Sequence, residues 1–161
     1  CLDSLAIAKV LVAIYRREQP AFVLMGKQAI DDDSNQVGQM LAALLGMGQA
    51  TFVSKLELVE NHTKARCSRE TDSGIETVTV KLPAIITSDL RLNEPRYVSL
   101  PGIMKARTKP LEEVALADLG LTVASRTQVL KLDPPASRKA GVRVKTVDEL
   151  LEKLKNDVKV L

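Results

Sequence analysis

Hydrophobic positions change their spacing several times along this chain, and each change marks an element. From Leu5 to Gln19 they recur at Ile7, Val10, Leu11, Ile14 and Tyr15, the spacing of one helix stripe, and Arg16, Arg17 and Glu18 form a polar end. Pro20 stops that helix. Ala21–Met25 is a short unbroken apolar run, expected as a strand buried on both faces and ended by Gly26. A second helix stripe follows in Val37, Met40, Leu41, Leu44 and Leu45, with Asp33 or Ser34 as its expected cap and Gly46 and Gly48 at its close. Ala50–Val59 and Lys64–Glu70 read as strands. After the turn Asp72-Ser73-Gly74, Ile75–Leu82 alternates apolar and polar residues, which predicts a half-exposed antiparallel unit. Pro83 breaks the alternation, and Ala84–Thr87 is again short and apolar, a return to buried sheet.

Helix, buried strand, glycine and helix in succession predict an α/β fold, a mostly parallel open sheet flanked by helices, with the antiparallel strand unit attached. Beyond Pro110, Leu111–Val114 is short and acidic, Asp118–Leu121 reads as a turn, and Thr127–Leu132 as one more strand ended by Asp133-Pro134-Pro135. Ala136–Lys145 is basic and irregular, a linker. Thr146-Val147-Asp148-Glu149 supplies a capping box for a final helix carrying Leu150, Leu151, Leu154 and Val158. The expected division is 1–132, an α/β domain, and 133–161, a linker with a C-terminal helical arm.

Gly26 stands where open α/β sheets bind ligands, just outside the carboxyl end of a strand. The first N–H groups of the following helix suit an anion, phosphate above all, and Lys27 adds a charge. Gln28, Asn35 and Gln36 offer amide hydrogen bonds to a ribose or a base. The segment is not a P-loop, because Gly26-Lys27 lacks both the glycine spacing and the Lys-Ser/Thr pair. Asp31-Asp32-Asp33 are cation ligands by type, yet three successive carboxylates do not converge in an extended loop, and a helix-starting acidic cluster accounts for them. A strand, an acidic turn and a capped helix also occur as plain architecture.

Leu90–Arg107 reads as a display device. Pro95 and Pro101 restrict the backbone on either side of Tyr97, and helix can resume only after Leu100, with Pro101 in its first turn. That puts Leu100 at the tip, ringed by Arg91, Arg96, Lys105, Arg107 and Lys109, the anatomy of an apolar docking anchor with a charged rim. The competing reading folds Leu100 back onto the domain's own core.

Composition narrows the functions. The 161 residues, 45% hydrophobic, suffice for one domain with a core. A net charge of +3, from 23 basic and 20 acidic residues, is a nearly balanced surface that gives little reason to propose nucleic acid, and 2% aromatics argues against a stacking platform for single strands. Cys1 and Cys67 do not make a disulfide framework. With His62 the sole histidine, neither a zinc cluster nor a Ser-His-Asp triad is legible. No apolar run reaches the ~20 residues that cross a bilayer, so no direct membrane insertion is expected.

Two blocks carry a resemblance. Asp89-Leu90-Arg91-Leu92-Asn93-Glu94-Pro95-Arg96-Tyr97, continued by Leu100-Pro101-Gly102-Ile103-Met104-Lys105-Ala106, resembles the signature of the electron-transfer flavoprotein β subunit. Gly26-Lys27-Gln28-Ala29-Ile30-Asp31-Asp32-Asp33-Ser34-Asn35-Gln36-Val37 resembles that family's nucleotide-binding segment. The resemblance runs over nearly the whole chain but matches only about the last two thirds of a usual β subunit. The missing N-terminal part implies unpaired sheet edges and weak nucleotide retention.

The resemblance implies a Rossmann-like, adenine-nucleotide-binding fold with a structural AMP at Gly26–Val37. It also implies a heterodimer with an α subunit that holds most of the FAD, and a recognition loop at 88–110 that docks acyl-CoA and related dehydrogenases. Tyr97, Leu100, Pro101, Ile103, Met104 and Lys105 are its docking residues. Leu100 matches the anchoring leucine, and Lys105 a lysine methylated in animal members; Thr108 stands where the second such lysine would be. Electrons would pass to a membrane quinone reductase, in the mitochondrial matrix or, in a bacterium, the cytoplasm. The C-terminal arm would lie against the α subunit. On this reading the chain is no enzyme and has no catalytic residues of its own. The alternative is a stand-alone adenine-nucleotide-binding hydrolase or transferase of a related α/β fold.

Overall fold

The computed structural model describes residues 2–138 and 140–160. Cys1, Lys139 of the basic stretch, Leu161 and the Val158 side chain of the final stripe therefore lie outside the described residues. Contacts gather the chain into two compact units, 1–128 and 129–161.

In the first unit, helix α1 (Ser4–Glu18) starts where the Asp3 carboxylate accepts from the Ala6 N–H at 2.8 Å. It ends at Gln19, in the left-handed region just before Pro20. Its buried residues are Ala6, Ala8 and Tyr15, and Ile7 of the expected stripe is exposed. Leu11 and Val12 pack the helix against the cluster of Leu41 and Ala42 in its neighbour α2 (Val37–Leu45). Gly46, at φ 64°, closes α2 with its N–H bonded to the carbonyls of the last turn, a conformation that favours glycine.

The sheet holds β1 (Val23–Gly26), β2 (Gly48–Val59), β3 (Lys64–Thr71), β4 (Gly74–Lys81) and β5 (Ala84–Ser88), in the order β1-β5-β2-β3-β4. β5 pairs in parallel with β1 and with β2. β2, β3 and β4 form the antiparallel part, as the alternating pattern predicts. The fold is thus mixed α/β, an open sheet with a parallel core and flanking helices. The expectation for the two apolar runs splits. Ala84–Thr87 is buried on both faces, with Ile85 packed on Leu41 and Ala42 of α2, and Ile86 in the cluster of Ala50, Val53, Ala65 and Cys67. Ala21–Met25 is not: β1 is an edge strand of this sheet, and Leu24 is 48% exposed. Apolar content alone does not distinguish an edge from a centre.

Between Ala50 and Val53 the β2–β5 register shifts, and Phe52 takes φ 58°. The first part of β2 lies along β5 and the later part along β3. Past the sheet come α3 (Leu100–Arg107) and a 3-10 turn, Leu116–Leu119, closed by Gly120 where Asp118–Leu121 was expected as a plain turn. Arg17 holds this stretch to α1 through Glu112 at 2.5 Å.

The expected strand Thr127–Leu132 does not form. The stretch is irregular, with Val129, Leu130 and Leu132 exposed. A strand needs a partner edge, and the run of apolar residues does not supply one. In the second unit, α4 (Val147–Lys153) continues into a π-type turn, Leu154–Val158. Half of its capping box forms, the Thr146 hydroxyl accepting from the Glu149 N–H at 3.2 Å, while the Glu149 carboxylate reaches one residue further back and accepts from the Lys145 N–H at 2.9 Å.

Candidate functional site

The parallel pairing of β1 with β5 sets Gly26 beside Ser88, so the carboxyl ends of two neighbouring strands open side by side. Two hydrogen bonds stitch those ends together. The Lys27 N–H donates to the Ser88 carbonyl at 3.1 Å, and the Ser88 hydroxyl donates to the Met25 carbonyl at 3.2 Å. Above them lies an open crevice of about 390 Å³ lined by Gly26, Lys27, Gln28, Ile30, Ser88, Asp89 and Leu90. A Cβ at position 26 would meet nothing, so the floor is clear there.

Helix α2 approaches this end of the sheet closely because residue 38 is glycine. A Cβ at position 38 would stand 2.5 Å from Thr87 Cγ2 and 3.3 Å from Met25 Sδ. Thr87 cannot yield easily, being 1% exposed with its hydroxyl accepting from the Phe52 N–H at 3.2 Å. Gly38 therefore determines how near the start of α2 comes to the crevice.

Lys27 is the crevice's cation, and it is not idle. Its ammonium lies 2.7 Å from Asp89 Oδ2 and 5.3 Å from the centre of the Phe52 ring. The Asp89 side chain is 8% exposed and that of Lys27 is 27% exposed, so the pair is partly shielded from solvent. Lys27 first, and then the Arg91 N–H, holds the Asp89 carboxyl down to about 2. Asp89 Oδ1 accepts from both the Arg91 N–H and Nε at 3.2 Å. The Arg91 guanidinium in turn forks onto both Glu70 oxygens at 2.6 and 2.7 Å, and these partners raise its pKa.

Of the predicted nucleotide segment, Gly26, Lys27, Gln28 and Ile30 line the crevice, while Ala29 and Asp31–Gln36 form the loop from its rim to α2. Two expectations there are corrected. Neither Asp33 nor Ser34 caps α2. Gln36 holds the cap position without a side-chain bond, and no acidic residue lies in the first turn. The carboxylates are spent inside the loop: Asp31 accepts from the Asp32 N–H, Asp32 from the Ser34 N–H, and Asp33 pairs with the Gln28 amide. Asp33 and Asn35 sit at φ 54° and 48°, so the chain bends here before the helix can start. Asn35 accepts from the Gln39 amide at 3.1 Å, and Gln39 Oε1 is buried without a partner.

The display stretch takes the form that its prolines predict. α3 begins at Leu100 with Pro101 in its first turn, and the Ser99 hydroxyl accepts from the Gly102 N–H at 3.3 Å. None of its residues is buried. Leu100 is 72% exposed, so it does not fold back onto the core, and Tyr97, Pro101, Ile103, Met104 and Lys105 are exposed with it. The charged rim is narrower than expected. Arg91 is turned to Glu70 and Asp89, which leaves Arg96, Lys105, Arg107 and Lys109.

Asp89, Ser88 and Phe52 were not among the residues predicted for the nucleotide site. The strand-end rule points to Ser88 and Asp89 once β5 is known to neighbour β1, but that adjacency spans most of the domain and leaves no local mark.

A family model described as the electron transfer flavoprotein domain matches residues 1–119. The electron transfer flavoprotein subunit beta of Bradyrhizobium diazoefficiens is 58% identical over 160 residues, covering 99% of this chain and 64% of that protein. The mitochondrial subunit beta of Arabidopsis thaliana is 52% identical over 157 residues, 98% of this chain and 62% of its own. The subunit beta of Mus musculus is 47% identical over 154 residues, 96% and 60% respectively. The chain therefore spans just under two thirds of the length of the curated relatives it matches.

Proposed function

Because this chain belongs to the electron transfer flavoprotein domain family, we propose that it is the β subunit of such a flavoprotein, a carrier component rather than an enzyme. In this role it pairs with an α subunit, supports the FAD held mainly there, and keeps AMP in the crevice beside Gly26–Val37. Its α3 segment docks acyl-CoA and related dehydrogenases, and the reduced flavin passes electrons to a membrane quinone reductase. The redox chemistry is the flavin's own; the protein supplies position and environment. The reading implies the mitochondrial matrix, or the cytoplasm if the source is bacterial.

One observation carries the nucleotide part: the predicted segment opens from the end of β1 beside the end of β5, with Lys27 at an open crevice. A phosphate there meets the Lys27 ammonium, which Asp89 also holds, while Gln28, Asn35 and Gln36 bring amides for the nucleoside. Exposure of Leu100 on a short capped helix supports the docking part.

Co-expression with an electron-transfer flavoprotein α subunit tests the proposal. A yellow heterodimer on size exclusion, releasing AMP when denatured, is the expected result. A colourless solitary chain overturns the subunit reading, and a purified chain that consumes ATP without any partner favours a stand-alone nucleotide enzyme instead.

A further inference from the structure

From the crevice a run of charged contacts reaches Arg91, at the root of the stretch that leads to α3, and ends on β3. Lys27 lines the crevice, and its ammonium reaches Asp89 at 2.7 Å. Asp89 reaches Arg91 at 3.2 Å through both its N–H and its Nε, and Arg91 reaches Glu70, on β3, at 2.6 Å. Asp89 also begins the stretch that leads to α3. Its own N–H donates to the Val53 carbonyl at 2.9 Å, and its carbonyl accepts from the Leu92 N–H at 3.2 Å. The backbone of Asp89 is pinned on both sides, so its carboxylate is left as the movable part, between one cation in the crevice and one at the root of the loop.

We propose that Asp89 is a positioning residue that couples occupancy of the crevice to the stiffness of the docking segment's root. The proposal rests on the reading of the crevice as an adenylate site. A phosphate beside Lys27 competes with Asp89 for the ammonium's three donors and sets a second anion against the carboxylate. Lys27 loosens its hold on Asp89. The carboxylate shifts toward the remaining cation, Arg91, and tightens its bond to the Arg91 N–H. The loop root is then firmest when the nucleotide is bound. Coupling of this kind is reciprocal, so a partner that orders the loop raises nucleotide affinity by the same factor.

Hydrogen exchange of the Arg91 amide, followed by NMR on the heterodimer with an α subunit, stripped of nucleotide and again with saturating AMP, tests the coupling. AMP binding itself is read by calorimetry on the same sample. The expected result is slower exchange at Arg91 on AMP binding, by about fivefold or more, the lower end of measured allosteric couplings. In Asp89→Asn the side-chain oxygen still accepts from the Arg91 N–H but carries no charge for a phosphate to displace, so the AMP effect on Arg91 is lost. A merely structural Asp89 would change the exchange rate equally with and without AMP. Binding of AMP with unchanged exchange in the native chain overturns the coupling alone, and so does a full AMP effect in Asp89→Asn. Absence of AMP binding overturns the adenylate reading and the coupling with it.

Discussion

The ammonium of Lys27 and the carboxylate of Asp89 meet at 2.7 Å, joining the residue after β1 to the residue after β5 across the mouth of the crevice. Lys27 and Arg91 hold the Asp89 carboxyl at about 2 against an ordinary 3.8. The unfolded chain therefore binds this proton more readily than the folded one as pH falls through that window. The pair's contribution to stability is fully present above 3.8 and is lost on the way down to about 2. Urea midpoints of the native chain and of Asp89→Asn, measured over a pH series, should differ most near neutrality and converge at the acid end. A gap that stays constant through the window would remove Asp89 as its cause.

Replacing Gly38 with alanine should destabilise the fold. The new Cβ would stand 2.5 Å from Thr87 Cγ2, and overpacking of this sort costs about 1–3 kcal/mol. Against it stands a helix-propensity gain of at most about 1 kcal/mol, smaller still at the second residue of α2. Thr87 cannot rotate away without giving up the bond from Phe52, so the clash wins. Denaturant unfolding reads the sign, and an unchanged or raised midpoint counts against the close approach.

Truncating Leu100 to alanine separates folding from docking. An exposed side chain of this kind changes stability by no more than about 0.5 kcal/mol. An anchoring residue costs about 2 kcal/mol or more in binding when removed. Thermal unfolding should therefore be unchanged, while coupling of the heterodimer to an acyl-CoA dehydrogenase falls at least tenfold with flavin content constant. Unaltered coupling rejects Leu100 as the anchor.

Cys67 sits in the cluster under Ile86 at 1% exposure, and burial pushes its thiol pKa up. Since the thiolate is the reactive form, both effects slow its chemistry. In a Cys1→Ser background, a disulfide reagent should leave the native chain unlabelled over minutes at pH 8 and label it completely in urea. Prompt labelling without denaturant would show that this part of the core opens readily.

Much of the fold is legible because local chemistry states it. Pro101 after Ser99 announces where α3 starts, Thr146 and Glu149 announce α4, and the alternation of Ile75–Leu82 announces a two-faced strand. The errors share another origin. Ala21–Met25 and Ala84–Thr87 look alike as apolar runs, but only the second has a strand on either side. Thr127–Leu132 has strand composition but pairs with no strand among the described residues. Asp33 and Ser34 are good caps by type, yet the left-handed bends at Asp33 and Asn35 delay the helix to Val37. At the candidate site, the segment contributed by one strand end was readable, and its partner Asp89 was not, because a contact between residues 62 apart leaves no periodic signal.

That separation also orders events in time. β3 and β4 are joined through Thr71 and Gly74, nearly adjacent in the chain, whereas Val23 must find Ile85 across most of the domain before β1 can pair. Closing the short turn costs far less chain entropy than closing the long loop, so the hairpin can stand before the parallel core is assembled. Pulse-labelled exchange during refolding should protect the amides of Lys64–Lys81 before those of Val23–Gly26. A nucleotide lodged at the mouth of the crevice would act as a clasp on this late join, tying together strand ends that the chain itself brings together only over a long loop.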